Sequence, residues 1–133
     1  MHYLFASKSL GPQTQLLAQI AATIGDGGEL EAFRDVEHFS ARLHRHNGPA
    51  IVILLAANGE DLARLSDERS AFLWADVVLL VPDQAADTIA TAHLLRPSFL
   101  GGTDSDLDKI VPVLKRLLEK RKRKLELERG PAI

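Results

Sequence analysis

A three-layer α/β domain, with a five-stranded parallel sheet between two layers of helices, is the fold class that the sequence predicts. Three observations carry it. Short apolar runs alternate strictly with longer segments of helical periodicity. The two central runs, Ile51-Val52-Ile53-Leu54-Leu55 and Val77-Val78-Leu79-Leu80-Val81, are continuously apolar, which suits strands covered on both faces. The length of 133 residues fits one domain with one substantial core. Strict βα alternation forces parallel pairing, right-handed crossovers and helices on both faces. In about 120 residues the common solution is doubly wound, with strand order 2-1-3-4-5.

Strands are expected at Tyr3–Ala6, Glu29–Phe33, Ile51–Ala57, Val77–Val81 and Ser98–Leu100. The second alternates, with Leu30 between two glutamates, as an edge strand does. The first helix is expected to open at Pro12, a residue favoured at the first helical position. It carries Leu16, Leu17, Ile20 and Ile24 as one stripe and ends at Gly25, with Gly27-Gly28 beyond. The second runs from about Val36 to His46, with Phe39 and Leu43 inward, and stops at Asn47-Gly48-Pro49. The third begins near Gly59-Glu60 and carries Leu62, Leu65 and Phe72-Leu73. The fourth covers about Ala85–Leu95 and stops before Pro97, because the residue preceding a proline avoids helical geometry. The last starts in the acidic stretch Asp104–Asp108, whose carboxylates suit a helix N-terminus. Pro112 must lie in its first turns. Residues 1–118 form the expected domain, and 119–133, almost all charged at first, a helical extension or tail.

Hydrophobic residues make up 46% and charged residues 26% of the chain, which excludes wholesale disorder. The formal charge of −2, from 16 basic and 18 acidic side chains, supplies no global field toward nucleic acid or membrane. With no cysteine there is no disulfide frame or thiolate metal site. No apolar run approaches the roughly 18–20 residues of a membrane span, and Met1–Ala6 lacks a basic leader region. The expected location is the cytoplasm.

Pro49-Ala50-Ile51-Val52-Ile53-Leu54-Leu55 reads like the third strand of the response-regulator receiver family. Leu94-Leu95-Arg96-Pro97-Ser98-Phe99-Leu100, followed by Asp104–Leu118, matches that family's fifth strand and last helix in spacing. The chain thus resembles a receiver domain of bacterial two-component signalling over about residues 1–118, which implies a flavodoxin-like (βα)5 fold. A working receiver holds Mg²⁺ in carboxylates at the strand ends, since a hard divalent ion needs oxygen ligands. It also uses an aspartate ending the third strand as phosphoryl acceptor, a hydroxyl residue ending the fourth and a lysine ending the fifth. Here the first strand runs into Ala6-Ser7-Lys8-Ser9, the third into Leu55-Ala56-Ala57-Asn58, the fourth into Val81-Pro82-Asp83 and the fifth into Gly101-Gly102-Thr103. All the matched positions depart together, so the resemblance is to a pseudo-receiver without its phosphorylation site.

The crevice at the strand carboxyl ends is the natural binding place of such a fold. Ser7, Lys8, Ser9, Asn58, Asp83 and Thr103 are expected to converge there. Two readings stand. One is a small-anion or nucleotide-like ligand site, with charge from Lys8 and donors from the serines and loop amides. The other is that Lys8 pairs with Asp83 or points to water, and that the polar residues are ordinary loop residues. No glycine-rich phosphate loop follows Ser9. His44 and His46, two apart, do not share a helix face, and His93 stands alone, so no metal site is expected. No nucleophile elbow occurs, no catalytic set stands out and no cofactor is implied. Trp74 is either partly buried or a contact hot spot.

The basic run Lys120–Lys124 lacks aromatic partners and is followed by Glu126 and Glu128, so a solvated helix surface is expected there rather than a nucleic-acid contact. Leu107, Val111, Leu114 and Leu118 follow an a/d spacing compatible with pairing to another copy. The expected function is a phosphorylation-independent signalling module acting by protein–protein interaction. A homodimer through the fourth helix, fifth strand and fifth helix is one form of it, the face that receivers commonly use. No membrane partner is expected. An enzyme is the weakest reading, because the fold alone supplies no reaction.

Overall fold

The computed structural model describes residues 2–11, 13–25, 29–46 and 50–129, with side chains to residue 124. Five strands, β1 (His2–Ala6), β2 (Leu30–Phe33), β3 (Ile51–Leu55), β4 (Asp76–Val81) and β5 (Phe99–Gly102), form one sheet. Every neighbouring pair is parallel and the order is β2-β1-β3-β4-β5. The connecting helices are α1 (Thr14–Ile24), α2 (Val36–His44), α3 (Gly59–Asp67) and α4 (Ala86–Leu94), and α5 (Ile110–Arg129) follows β5. This is the flavodoxin-like (βα)5 topology.

The continuous apolar runs have the physical role that their pattern implies. Along β3, Val52 and Leu54 join a cluster with Phe39, Leu43, Leu62, Leu65 and Phe72. Ile51, Ile53 and Leu55 join a second cluster with Leu16, Ile20, Ile110, Val113 and Leu114. Successive side chains point to opposite faces, so α2, α3 and α4 cover one face of the sheet and α1 and α5 the other. Strand β2 is an edge. Its Glu31 carboxylate accepts a hydrogen bond from Arg42 of α2 at 3.2 Å, and Ala32 is exposed.

Several boundaries differ from those that the sequence suggests. Residues Lys8–Leu10 form a 3-10 turn, Gly11 has φ +73°, and α1 begins at Thr14. Pro12 lies outside the described residues, as do Gly27-Gly28 and Asn47-Gly48-Pro49. Helix α3 stops at Asp67, and a 3-10 turn at Arg69–Ala71 follows. Phe72 is buried from the turn after it, and Leu73 is 52% exposed. Strand β5 continues through Gly101 and Gly102, which pair with Leu80 and Val81. Two glycines in a row signal a loop in sequence, yet a Cβ on Gly101 would sit 2.8 Å from Leu80 Cδ2 and 2.9 Å from Asp106 Oδ2. The acidic stretch supplies a turn and a 3-10 segment (Leu107–Lys109), and α5 begins only at Ile110, with Pro112 in its first turn.

Helix α5 crosses position 118 without a break and is pinned to the sheet beyond it. The Arg121 guanidinium pairs with Asp76 Oδ2 at 2.8 Å and donates to the Ala50 carbonyl. Its side chain is only 19% exposed. Among the described residues no helix is long and apolar enough to cross a membrane.

Arg121→Ala should lower stability by about 1–3 kcal/mol, because Asp76 and the Ala50 carbonyl lose a charge-assisted partner. Truncation after Leu118 should lower Tm at least as much, measured by thermal melts followed by circular dichroism. A chain melting unchanged without residues 119–133 would show that the pin contributes nothing. His2 supplies a second test. Its Nδ1 accepts a hydrogen bond from the Ile51 amide at 2.9 Å. Burial, followed by nearby positive charge that includes Arg121, lowers its pKa from 6.5 to about 4. The unfolded chain therefore binds the extra proton in that window. Stability from this group is complete above pH 6.5 and declines as pH falls toward 4. The loss should be on the order of 1 kcal/mol after allowance for solvent screening. His2→Asn, which keeps an acceptor but does not titrate, should flatten the dependence of Tm on pH across that range.

Candidate functional site

Parallel strands bring the carboxyl ends of β1, β3, β4 and β5 side by side. Ala6 pairs with Leu55, Leu55 with Leu80, and Val81 with Gly102. The loops leaving these ends build the crevice, and a local demand for backbone hydrogen-bond partners sets each loop.

After β1, Ser7 is buried. Its amide donates to the Leu55 carbonyl at 3.1 Å, and its Oγ accepts from the Ser9 amide at 3.3 Å, capping the 3-10 turn. Arg34, in the loop after β2, donates to the carbonyls of Ser7 (3.0 Å) and Gly11 (2.9 Å). That guanidinium clamps the β1–α1 loop to the β2–α2 loop. Lys8 is exposed and makes no hydrogen bond or ion pair with the described residues. Its charge acts on Asp35, whose carboxylate caps α2 by accepting from the His38 amide and is held below the usual carboxylate range chiefly by that bond. No ion pair joins Lys8 to Asp83 among the described residues.

After β3, Asn58 and Asp61 cap α3 reciprocally. Asn58 Oδ1 accepts from the Asp61 amide at 2.9 Å, and Asp61 Oδ2 accepts from the Ala57 amide at 3.1 Å. After β4, Asp83 Oδ1 accepts from the Ala85 amide at 2.9 Å. A side-chain hydrogen bond with Thr88 and that amide together lower its pKa. After β5, Thr103 donates twice to the Val81 carbonyl, from its amide at 2.9 Å and its Oγ1 at 3.3 Å.

Asp106 departs from the helix-capping role that its position suggests. It makes no side-chain cap bond. Its Oδ2 accepts from the Gly102 amide at 2.7 Å and its Oδ1 pairs with Lys109 at 2.8 Å. Lys109 first, and the Gly102 amide second, hold this carboxyl below its ordinary value. The carboxylate folds back over the end of β5 and occupies the space a side chain at Gly101 would need.

Of the six residues expected to converge, Ser7, Asn58, Asp83 and Thr103 spend their side chains on caps and loop closure. Ser9 contributes its amide to the Ser7 cap, and Lys8 stands apart. The residues that organise the crevice, Arg34, Asp61 and Asp106, were not singled out from the sequence as site residues. Only the N-cap spacing of Asn58 and Asp61 gave a readable signal. Among the described residues no group of three or more histidine and acidic side chains is arranged to hold a metal.

The stripe Leu107, Val111, Leu114 and Leu118 lies mostly inward. Leu114 is fully buried, and Leu107 and Leu118 pack against the α1-side cluster. Beside it, Ser98, Phe99, Val113, Arg116, Leu117 and Lys120 line a groove of about 290 Å³ between β5 and α5.

In the comparisons with known proteins, no family model, no curated protein and no solved structure matches the chain. The strand order and parallel pairing establish a flavodoxin-like (βα)5 fold, the architecture that receivers share with other members of this broad class.

Proposed function

We propose that the chain is a phosphorylation-independent, receiver-like signalling module that acts by protein–protein contact rather than by catalysis. The observation that carries this reading is how the carboxyl end of the sheet is occupied. A receiver needs free carboxylates after β1 and at the end of β3, and a lysine after β5. Here Ala6 and Leu55 end the first and third strands, with Ser7 and Ala56 buried beyond them. The Ala57 amide is taken by Asp61 and the Gly102 amide by Asp106. Asp106 and Leu80 leave no room for a side chain at Gly101. A phosphoryl group entering this crevice would meet the Asp106 carboxylate where the family has a cation.

Contact through α4, β5 and α5 is the form of association this reading favours. Phe99 and Leu117 line the open groove there, rimmed by Arg116 and Lys120. A second copy of the chain is the partner proposed for that face.

An amide NMR titration with Mg²⁺, then with beryllofluoride as a mimic of aspartyl phosphate, tests the reading. Resonances of Ser7, Asn58 and Gly101 should stay in place at millimolar additions. Saturable movement of those three would show a working acceptor pocket and end the proposal.

A further inference from the structure

The small net charge conceals a separation of charge along the molecule. Residues 110–129 carry eight of the 16 basic side chains and three of the 18 acidic ones. The other eight basic residues share the body with 15 acids. Because each helix runs back against its strand, helices start at the carboxyl end of the sheet and finish at its amino end. Many of the acids lie where helices start. Asp35, Glu60, Asp61, Asp83, Asp87 and the Asp104–Asp108 stretch all sit at the carboxyl end.

The amino end has the opposite character. Arg45, Arg69 and Arg96 follow α2, α3 and α4 there, all exposed. Arg121, bound to Asp76 at the start of β4, anchors α5 at this end. Lys120, Lys122, Arg123 and Lys124 are exposed around that anchor. None of these seven cations forms an ion pair with the described residues. Among the described side chains, the exposed acids at this end are Glu29, Asp67 and Glu119, and Glu68, at the end of α3, has its side chain 45% exposed.

Among the described residues the exposed large apolar side chains collect at the same end. Leu73 (52%) and Trp74 (40%) occupy the turn before β4, and Leu94 (52%) ends α4. Trp74 is held rather than loose. Its ring stacks on His46, with centroids 4.8 Å apart and planes at 16°, and His46 Nδ1 is hydrogen-bonded at 2.6 Å to the hydroxyl of the fully buried Tyr3.

We propose that the amino end of the sheet is a docking face for an anionic lipid surface. Clustered lysines and arginines are attracted to anionic headgroups, a tryptophan ring suits the headgroup level, and leucines beside it reach the start of the acyl region. The same negative field repels the acidic carboxyl end, so the charge separation fixes the orientation. A second copy is a poorer occupant. Amino end on amino end sets like charges together, and the carboxyl end presents no exposed large apolar side chain among the described residues. Nucleic acid would use the cations and Trp74 but leave Leu73 and Leu94 without a role.

Co-sedimentation of the full chain tests this with two kinds of vesicle, phosphatidylcholine alone and phosphatidylcholine with roughly a third phosphatidylserine. Trp74 is the chain's one tryptophan, so its emission reports the face directly. Binding to the phosphatidylserine vesicles, with emission moved to shorter wavelength, is the expected result. The combined variant Lys122→Glu, Arg123→Glu and Lys124→Glu, at exposed positions, should weaken binding on the order of a hundredfold or more. Leu94→Ser should weaken it less, and both variants should melt near the parent temperature. Failure to sediment with phosphatidylserine vesicles at physiological salt overturns the proposal. So does binding that leaves Trp74 emission unchanged, or binding to duplex DNA tighter than to the vesicles. None of these results depends on whether the carboxyl-end crevice takes beryllofluoride.

Discussion

Two-sided burial of the central strands is the constraint on which the rest of the structure depends. Leu4 and Phe5 of β1, all of β3 and Val77–Val81 of β4 are almost wholly removed from water. A strand apolar on both faces must be covered on both, and parallel crossovers do this by laying helices alternately above and below the sheet. Strand sides thereby become unavailable for chemistry. Polar side chains can reach solvent only at the two ends of the sheet, at its edges and on the outer helix faces.

At the carboxyl end the first demand on those polar side chains comes from the backbone. Each strand leaves amides and carbonyls that the ladder no longer pairs, and leaving them unpaired costs more than a typical hydrogen bond contributes. The chain meets that demand internally. Ser7, Asn58, Asp61, Thr103 and Asp106 each satisfy a main-chain group within a few residues or on a neighbouring strand end. Arg34 adds a bridge between two loops. A crevice so closed is well suited to hold loops in one arrangement. It is poorly suited to present free ligands to a metal or phosphoryl group, and the proposed contact function rests on that arrangement.

The architecture was legible because it is written in hydrophobic period, and period survives small errors in placement. Continuous runs at β3 and β4 and the alternating Leu30 segment specify the layers and the edge without reference to any long-range contact. The site was less legible because its geometry depends on which backbone groups are orphaned, and hydrophobicity does not record that. Gly101-Gly102 reads as a loop, yet both residues pair with β4, and Leu80 and Asp106 crowd the place a side chain on Gly101 would take. Asp106 reads as a helix cap and caps a strand end instead. Arg121 reads as one more charge in a basic run, although its partner Asp76 lies 45 positions earlier in the chain. Long-range pairs of this kind leave no local signature.

The two ends of the sheet therefore differ in kind, and the difference follows from one asymmetry of parallel βα units. Helices begin where strands end, so helix N-termini and the acids that suit them gather at the carboxyl end. Helix C-termini and the cations that suit them gather at the amino end. In this chain α5 exaggerates that tendency by running on past Leu118 with five consecutive basic residues. The Arg121–Asp76 pair then converts a charged helix end into a fixed part of the surface. A freely moving basic tail would average its field over many positions. Pinned at the end of the sheet where Trp74 also lies, the same charges act from one end, and a domain of almost zero net charge acquires a direction.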